Sequence, residues 1–184
     1  MSDDPLAWET LDREVAYACP GFDVITETVR LPDGVETDFD YLSEPPSVAV
    51  LAFTPDENVV LVEEWRQAVE RTNVGIPAGG VEPSDEDIPA AARRELAEET
   101  GYEAETVEPL LTVEPANGFA DSVRHVFVAR GCRPTAEQRL DADESIDVRA
   151  TPYPDLREAV VAGDVRDGRT ALAVSYYELV GDDS

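Results

Sequence analysis

Gly80-Val81-Glu82-Pro83-Ser84-Asp85-Glu86-Asp87-Ile88-Pro89-Ala90-Ala91-Ala92-Arg93-Arg94-Glu95-Leu96-Ala97-Glu98-Glu99-Thr100-Gly101-Tyr102 is the stretch on which the reading of this chain turns. It predicts a helix with both ends marked. Asp85 or Asp87 can cap the start, Pro89 fits the first turn, and Gly101 falls just past the end. With about 100° per residue and Leu96 at zero, Ala92 falls at about −40°, Glu99 at about −60° and Ile88 at about −80°. Glu95 follows at about −100° and Glu98 at about −160°. Glu99 therefore lies inside the apolar row of Ile88, Ala92 and Leu96. A carboxylate on a core-facing stripe has to be paired, protonated or bound to metal.

Glu95, Glu98 and Glu99 also repel one another from one side of the helix. Arg94, one turn before Glu98, relieves part of that repulsion, but one arginine cannot balance three carboxylates. Hard oxygen ligands packed this way suit Mg2+ or Mn2+, ions that keep several waters and share phosphate oxygens of a substrate. A water acidified by such a metal becomes a nucleophile near neutral pH. The pattern reads as metal-assisted attack on phosphorus.

Outward from the helix, Val48 to Phe53 and Val59 to Val62 are near-continuous apolar runs, the mark of strands covered on both faces. Val107 to Val113, Val123 to Ala129 and Ile146 to Ala150 are further strand candidates. Pro154 to Ala162 and Arg169 to Val180 read as helices, stopped by Gly163 and Gly181. Upstream, Val15 to Ala18, Val24 to Leu31 and Val35 to Leu42 form a hairpin-rich arm that turns at Pro32-Asp33-Gly34 and ends at Pro45-Pro46. Strands and helices intermix without a regular βαβ rhythm. The expected fold class is α/β, a mixed sheet sandwiched between helices.

The chain has 184 residues, with 41 acidic against 14 basic residues and a formal net charge of −27. Every basic residue is arginine. A nucleic-acid backbone or an anionic membrane would be repelled, so neither is an expected partner. No apolar run approaches the roughly 20 residues of a membrane span. Met1-Ser2-Asp3-Asp4-Pro5 is acidic where a secretory leader would be basic. Cys19 and Cys132 make neither a disulfide framework nor a zinc site and read as small reduced core or near-core residues. The expected location is cytoplasmic. Carboxylates spread along the whole chain resemble proteins from cells that hold molar salt, where the Debye length falls to about 3 Å and self-repulsion is screened.

Gly80, five residues, Glu86, seven residues, Arg94-Glu95-Leu96, one residue, Glu98-Glu99, one residue and Gly101 resemble the Nudix box of the pyrophosphohydrolases. Only Tyr102, where an aliphatic residue is usual, departs from it. Val60-Leu61-Val62-Glu63-Glu64-Trp65-Arg66-Gln67 with Ile76-Pro77-Ala78-Gly79 resembles the ADP-ribose pyrophosphatase branch of that family. Asp143-Glu144-Ser145-Ile146 and Gly163-Asp164-Val165-Arg166-Asp167 do so as well. The resemblance implies a Nudix-type α/β/α sandwich over residues 47–184. It also implies an N-terminal antiparallel strand arm over residues 1–46 that helps build a homodimer.

Carried onto this chain, the resemblance implies Mg2+ or Mn2+ held by Glu95 and Glu99 with Glu98 nearby, and Arg94 orienting the glutamates. A backbone carbonyl just before the box glycine completes the set. Strict spacing makes that glycine Gly80 and the ligand Gly79; the Pro-Ala-Gly signature favours Gly79 and makes the ligand Ala78. Arg66 would face a diphosphate, or else form a surface ion pair with Glu63 or Glu70. The family's substrate loop resembles Gly118-Phe119-Ala120-Asp121, but Ser122 stands where a catalytic glutamate is expected. Serine is no base by itself. Asp121 or Glu114 is expected to supply the carboxylate, unless metal-bound hydroxide needs none. Phe119 and Trp65 could stack on a base or pack in a core; His125 reads as a core or edge-strand residue.

The expected activity is hydrolysis of the diphosphate bond of ADP-ribose or a similar nucleotide sugar. Two alternatives stand beside it. One is a Nudix hydrolase for another nucleoside diphosphate sugar or an oxidised nucleoside triphosphate; the other is a non-catalytic nucleotide-binding domain.

Overall fold

A computed structural model describes residues 4–142 and 144–181. Met1-Ser2-Asp3 and Asp143 of the sequence motifs lie outside the described residues. The chain divides into two compact units, Met1–Pro46 with Glu114–Val123, and Ser47–Val113 with Arg124–Ser184.

The first unit is an antiparallel sheet of β1 (Glu9–Ala18), β2 (Asp23–Arg30) and β3 (Glu36–Ser43), in that order. The expected hairpin turn is present, with Gly34 at φ 87° and its N–H donating to the Leu31 carbonyl. The strand β1 begins six residues before the expected Val15. Its charged start carries little strand propensity. Cross-strand contacts hold it instead: Arg30 bonds Glu9 at 2.6 Å, and Arg13 pairs with Glu27 at 3.3 Å. Within the named strands β1 pairs only with β2, and it is exposed along its whole length. The Glu114–Val123 segment joins this unit through the Leu42 N–H to Phe119 and the Asp121 N–H to Leu42.

The second unit holds β4 (Ser47–Ala52), β5 (Asn58–Arg66), β6 (Arg71–Gly75), β7 (Ala78–Gly80), α1 (Ile88–Thr100) and β8 (Tyr102–Glu103). It continues with β9 (Thr106–Val113), β10 (Arg124–Arg130), β11 (Arg133–Pro134), β12 (Ile146–Pro152), α2 (Tyr153–Ala162) and α3 (Gly168–Val180). One sheet has the order β7-β4-β10-β9 and is mixed, because β10 runs parallel to β4 and antiparallel to β9. A second has the order β12-β5-β6.

Successive strand residues point to opposite faces, and here each face has its own core. Ala49, Leu51, Phe53, Leu61, Val126 and Val128 pack with Leu156 of α2 and Ala173 and Val174 of α3. Val48, Val50, Ala52, Val60 and Phe127 pack with Ala91, Ala92 and Leu96 of α1. This is the expected α/β/α sandwich, and it explains why the strands read as unbroken apolar runs. The strands β6 and β7 were not expected. They carry too little apolar alternation to be read alone and exist by pairing with β5 and β4.

Asp167 caps α3, accepting from the Thr170 N–H at 2.9 Å and its hydroxyl at 2.7 Å. The same hydroxyl accepts from the Ile76 N–H at 2.9 Å, two residues before Ala78. Among the described residues no helix is long and apolar enough to cross a membrane.

Candidate active site on the first helix

Asp87 caps α1 through the Ala90 N–H at 2.7 Å, and Gly101 closes it in the left-handed region at φ 72°. Asp85, the other candidate cap, belongs to a different network. It binds Arg94 in two-pronged fashion, Nε and Nη2 each at 2.9 Å. Arg94 Nη1 reaches Glu95 at 2.8 Å and Glu98 at 3.1 Å, and Nη2 donates to the Gly80 carbonyl at 2.8 Å. One guanidinium thus joins the loop before α1 to two of its three glutamates. Its pKa is raised, first by the Asp85 hydrogen bond. Asp85 is correspondingly lowered by Arg94.

Glu99 is 4% exposed, between Leu96 and the end of the helix. Its Oε2 accepts the Ala78 N–H at 2.9 Å. Burial pushes its pKa up to about 8; the Ala78 bond opposes the shift, while the charges of Glu95 and Glu144 add to it. Glu95 is also raised, by burial against the opposing pull of Arg94. Its carboxylate lies against Gly79, in space that a Cβ there would occupy, whereas a Cβ on Gly80 would meet nothing within 4 Å.

These side chains fit a hard divalent cation. Glu99 is buried and Glu95 half-buried, and burial raises the pKa of both, so each gains from a positive charge placed beside it. Among the described residues no three His, Cys, Asp or Glu side chains already converge closely enough to hold a metal ion. In this conformation Arg94 supplies the positive charge beside Glu95 and Glu98.

The second unit also holds Arg66, whose Nη2 pairs with Glu64 at 2.7 Å. That is a third partner, neither Glu63 nor Glu70. Trp65 is exposed and its indole N–H bonds Gln67 at 3.1 Å. His125 Nδ1 sits 3.0 Å from the Thr112 hydroxyl on the neighbouring strand. Cys132 is buried, with burial pushing its thiol up to about 11, and Cys19 is half-buried.

Gly118, Phe119 and Asp121 belong to the first unit. Phe119 is 59% exposed and lines a cavity of about 530 Å³ with Trp8, Phe39, Tyr41 and Glu114. Asp121 also lines it, but both of its oxygens are engaged, by the Ser43 hydroxyl at 2.8 Å and the Glu44 N–H at 2.9 Å. Ser122 is buried.

Sequence reasoning missed Glu144 as a site residue. It stood in a family-like motif, yet only the folded chain brings its charge to bear on both Glu95 and Glu99.

The NUDIX domain family matches residues 43–171. The chain belongs to that family. This Nudix protein is 36% identical over 172 residues to an ADP-ribose pyrophosphatase of Bacillus subtilis (strain 168), covering 93% of this chain and 92% of the relative. It is also 36% identical over 154 residues to a protein of Bacillus methanolicus named methanol dehydrogenase activator, covering 83% of each. The crystal structure of an ADP compounds hydrolase matches 97% of the Nudix chain, with 96% of its own length covered, at a TM-score of 0.83 and 21% identity. The two share a fold, and the expected enzyme class, a Nudix hydrolase, stands.

Proposed function

We propose that this Nudix hydrolase cleaves the diphosphate bond of ADP-ribose or a similar nucleotide sugar with Mg2+, or Mn2+ in its place. ADP-ribose and water would give AMP and ribose 5-phosphate. The observation that carries the reading is the Glu99 carboxylate, buried in an apolar row with the Ala78 N–H as its hydrogen-bond donor. The kinship with an ADP-ribose pyrophosphatase at 36% identity supports the substrate class.

Glu95, Glu99 and the Ala78 carbonyl would hold the metal, with Glu98 beside them. When bound, the ion supplies charge neutralisation at the diphosphate and acidifies a water ligand. Arg94 acts by orientation, holding Glu95 and Glu98 on one side of the helix. Arg66 exchanges its Glu64 partner for a diphosphate oxygen. Phe119, exposed beside Gly118, offers a ring to stack on the base.

The proton acceptor for the attacking water is assigned to Glu144 rather than Asp121. Asp121 has both oxygens committed, to the Ser43 hydroxyl and the Glu44 N–H. Glu144 Oε2 accepts the Asp141 N–H at 3.0 Å, and the negative charge of Glu144 contributes to the raised pKa of Glu95 and Glu99. We also assign residues 1–46 to homodimer formation. The exposed β1 carries Leu11, Val15 and Tyr17, and such an edge favours pairing with another strand.

A panel of ADP-ribose, other nucleoside diphosphate sugars and oxidised nucleoside triphosphates, assayed with Mg2+ in molar KCl, tests the reading. Phosphate released after phosphatase coupling is the signal. ADP-ribose should have the highest kcat/KM, and a preference for a triphosphate would sink the proposal.

A further inference from the structure

The last carbonyls of a helix have no partner within it and need donors from elsewhere. In α1 two of those carbonyls belong to Glu98 and Glu99. The Glu98 carbonyl accepts the Arg139 N–H at 2.8 Å, and just past the helix the Gly101 carbonyl accepts the Ala136 N–H at 3.0 Å. The Glu99 carbonyl is different, because its donor is a side chain, Gln138 Nε2 at 2.7 Å. The same nitrogen donates to the Ile146 carbonyl at 3.2 Å. Ile146 opens β12 and lies two residues after Glu144.

We infer that Gln138 is a positioning residue, its amide fixing the distance between the Glu99 turn of α1 and the segment that carries Glu144. The inference rests on the metal-site reading above. Gln138 is itself exposed, so it adds little to a core. An exposed amide that bridges two main-chain carbonyls is suited to hold geometry. The amide nitrogen serves one carbonyl on α1 and one at the start of β12. Partners one step removed from a metal commonly change its affinity by about 10- to 100-fold.

The test compares wild type, Gln138→Leu and Gln138→Lys in molar KCl. Leucine has similar bulk and no donor, while the lysine ammonium can still donate to both carbonyls. Free Mn2+ is followed by electron paramagnetic resonance without nucleotide, alongside Mg2+-dependent turnover and the melting temperature in chelator. Gln138→Leu should weaken Mn2+ binding and raise the Mg2+ needed for half-maximal rate by about tenfold. KM for nucleotide at saturating Mg2+ should be unchanged, and Gln138→Lys should restore most of the loss. Equal Mn2+ binding by wild type and Gln138→Leu overturns the positioning role alone. No Mn2+ bound by wild type overturns the metal site and this inference with it. If both variants melt far below wild type without metal, Gln138 is a structural support and the inference also fails.

Discussion

The Glu95 carboxylate lies against the bare Cα of Gly79, filling the space a side chain there would need. Gly79 therefore has no room for a Cβ unless Glu95 moves, and Gly80 has room to spare. Gly79→Ala should displace the end of a flexible side chain at little cost in stability. It should still lower kcat by about 10²-fold, the scale of a misplacement near 1 Å. Gly80→Ala should leave kcat close to wild type. The reverse order would make Gly80 the glycine that matters and shift the carbonyl ligand to Gly79.

Glu99→Gln keeps the side chain's shape while removing its charge. Turnover should fall by about two to four decades, as for a group acting on the transition state, with the fold retained. Near wild-type turnover would falsify the assignment of the metal helix.

The same buried carboxylate predicts how metal-free stability varies with pH. Its folded pKa of about 8 lies above the ordinary 4.5. The folded state therefore holds the proton more tightly, and this contribution is fully present below about pH 4.5. It is lost as pH rises through about 8, at up to about 1.4 kcal/mol per pH unit. In chelator and molar KCl, the melting temperature of Glu99→Gln minus that of wild type should increase from pH 5 to pH 9. A constant difference would show that Glu99 is not held neutral.

Glu144→Gln should slow hydrolysis by about 10²- to 10³-fold if that carboxylate accepts the proton. Asp121→Asn and Glu114→Gln should cost far less. Ser122→Glu, attractive from the sequence, should destabilise the protein, because position 122 is buried. A larger loss in Asp121→Asn than in Glu144→Gln would return the role to the 118–121 loop.

With a net charge of −27, dilute buffer should loosen the protein. The Debye length grows from about 3 Å at 1 M to about 30 Å at 0.01 M, and self-repulsion grows with it. The melting temperature should climb steadily as KCl is raised to molar concentration. A flat or falling curve would remove the case for adaptation to salt.

What could be read before folding follows from range. The helix α1 was legible to its ends, since its apolar row, its capping aspartate and Gly101 all act within a few residues of one another. The odd placement of Glu99 was legible for the same reason. Short strands such as β7 were not, because two glycines and an alanine become a strand only through partners thirty residues away. Nor was the link from Asp121 to Ser43, or the field of Glu144 at Glu95. Both join positions far apart in the chain, and local pattern holds no record of them.

The strand β4 sends Val48, Val50 and Ala52 toward α1 and Ala49 and Leu51, with Phe53 just after it, toward α2 and α3. One layer of main chain therefore insulates two cores that share no side chain. Residues around Leu51, Phe53 and Leu156 can drift, tighten or loosen with growth temperature while the helix that bears the glutamates keeps its seat. Their effects should add to those of substitutions around Leu96, as expected for sites without common partners. The enzyme can thus be retuned for a new climate around Phe53 and Leu156, provided the change spares Ala78, which packs against that same core and donates to Glu99.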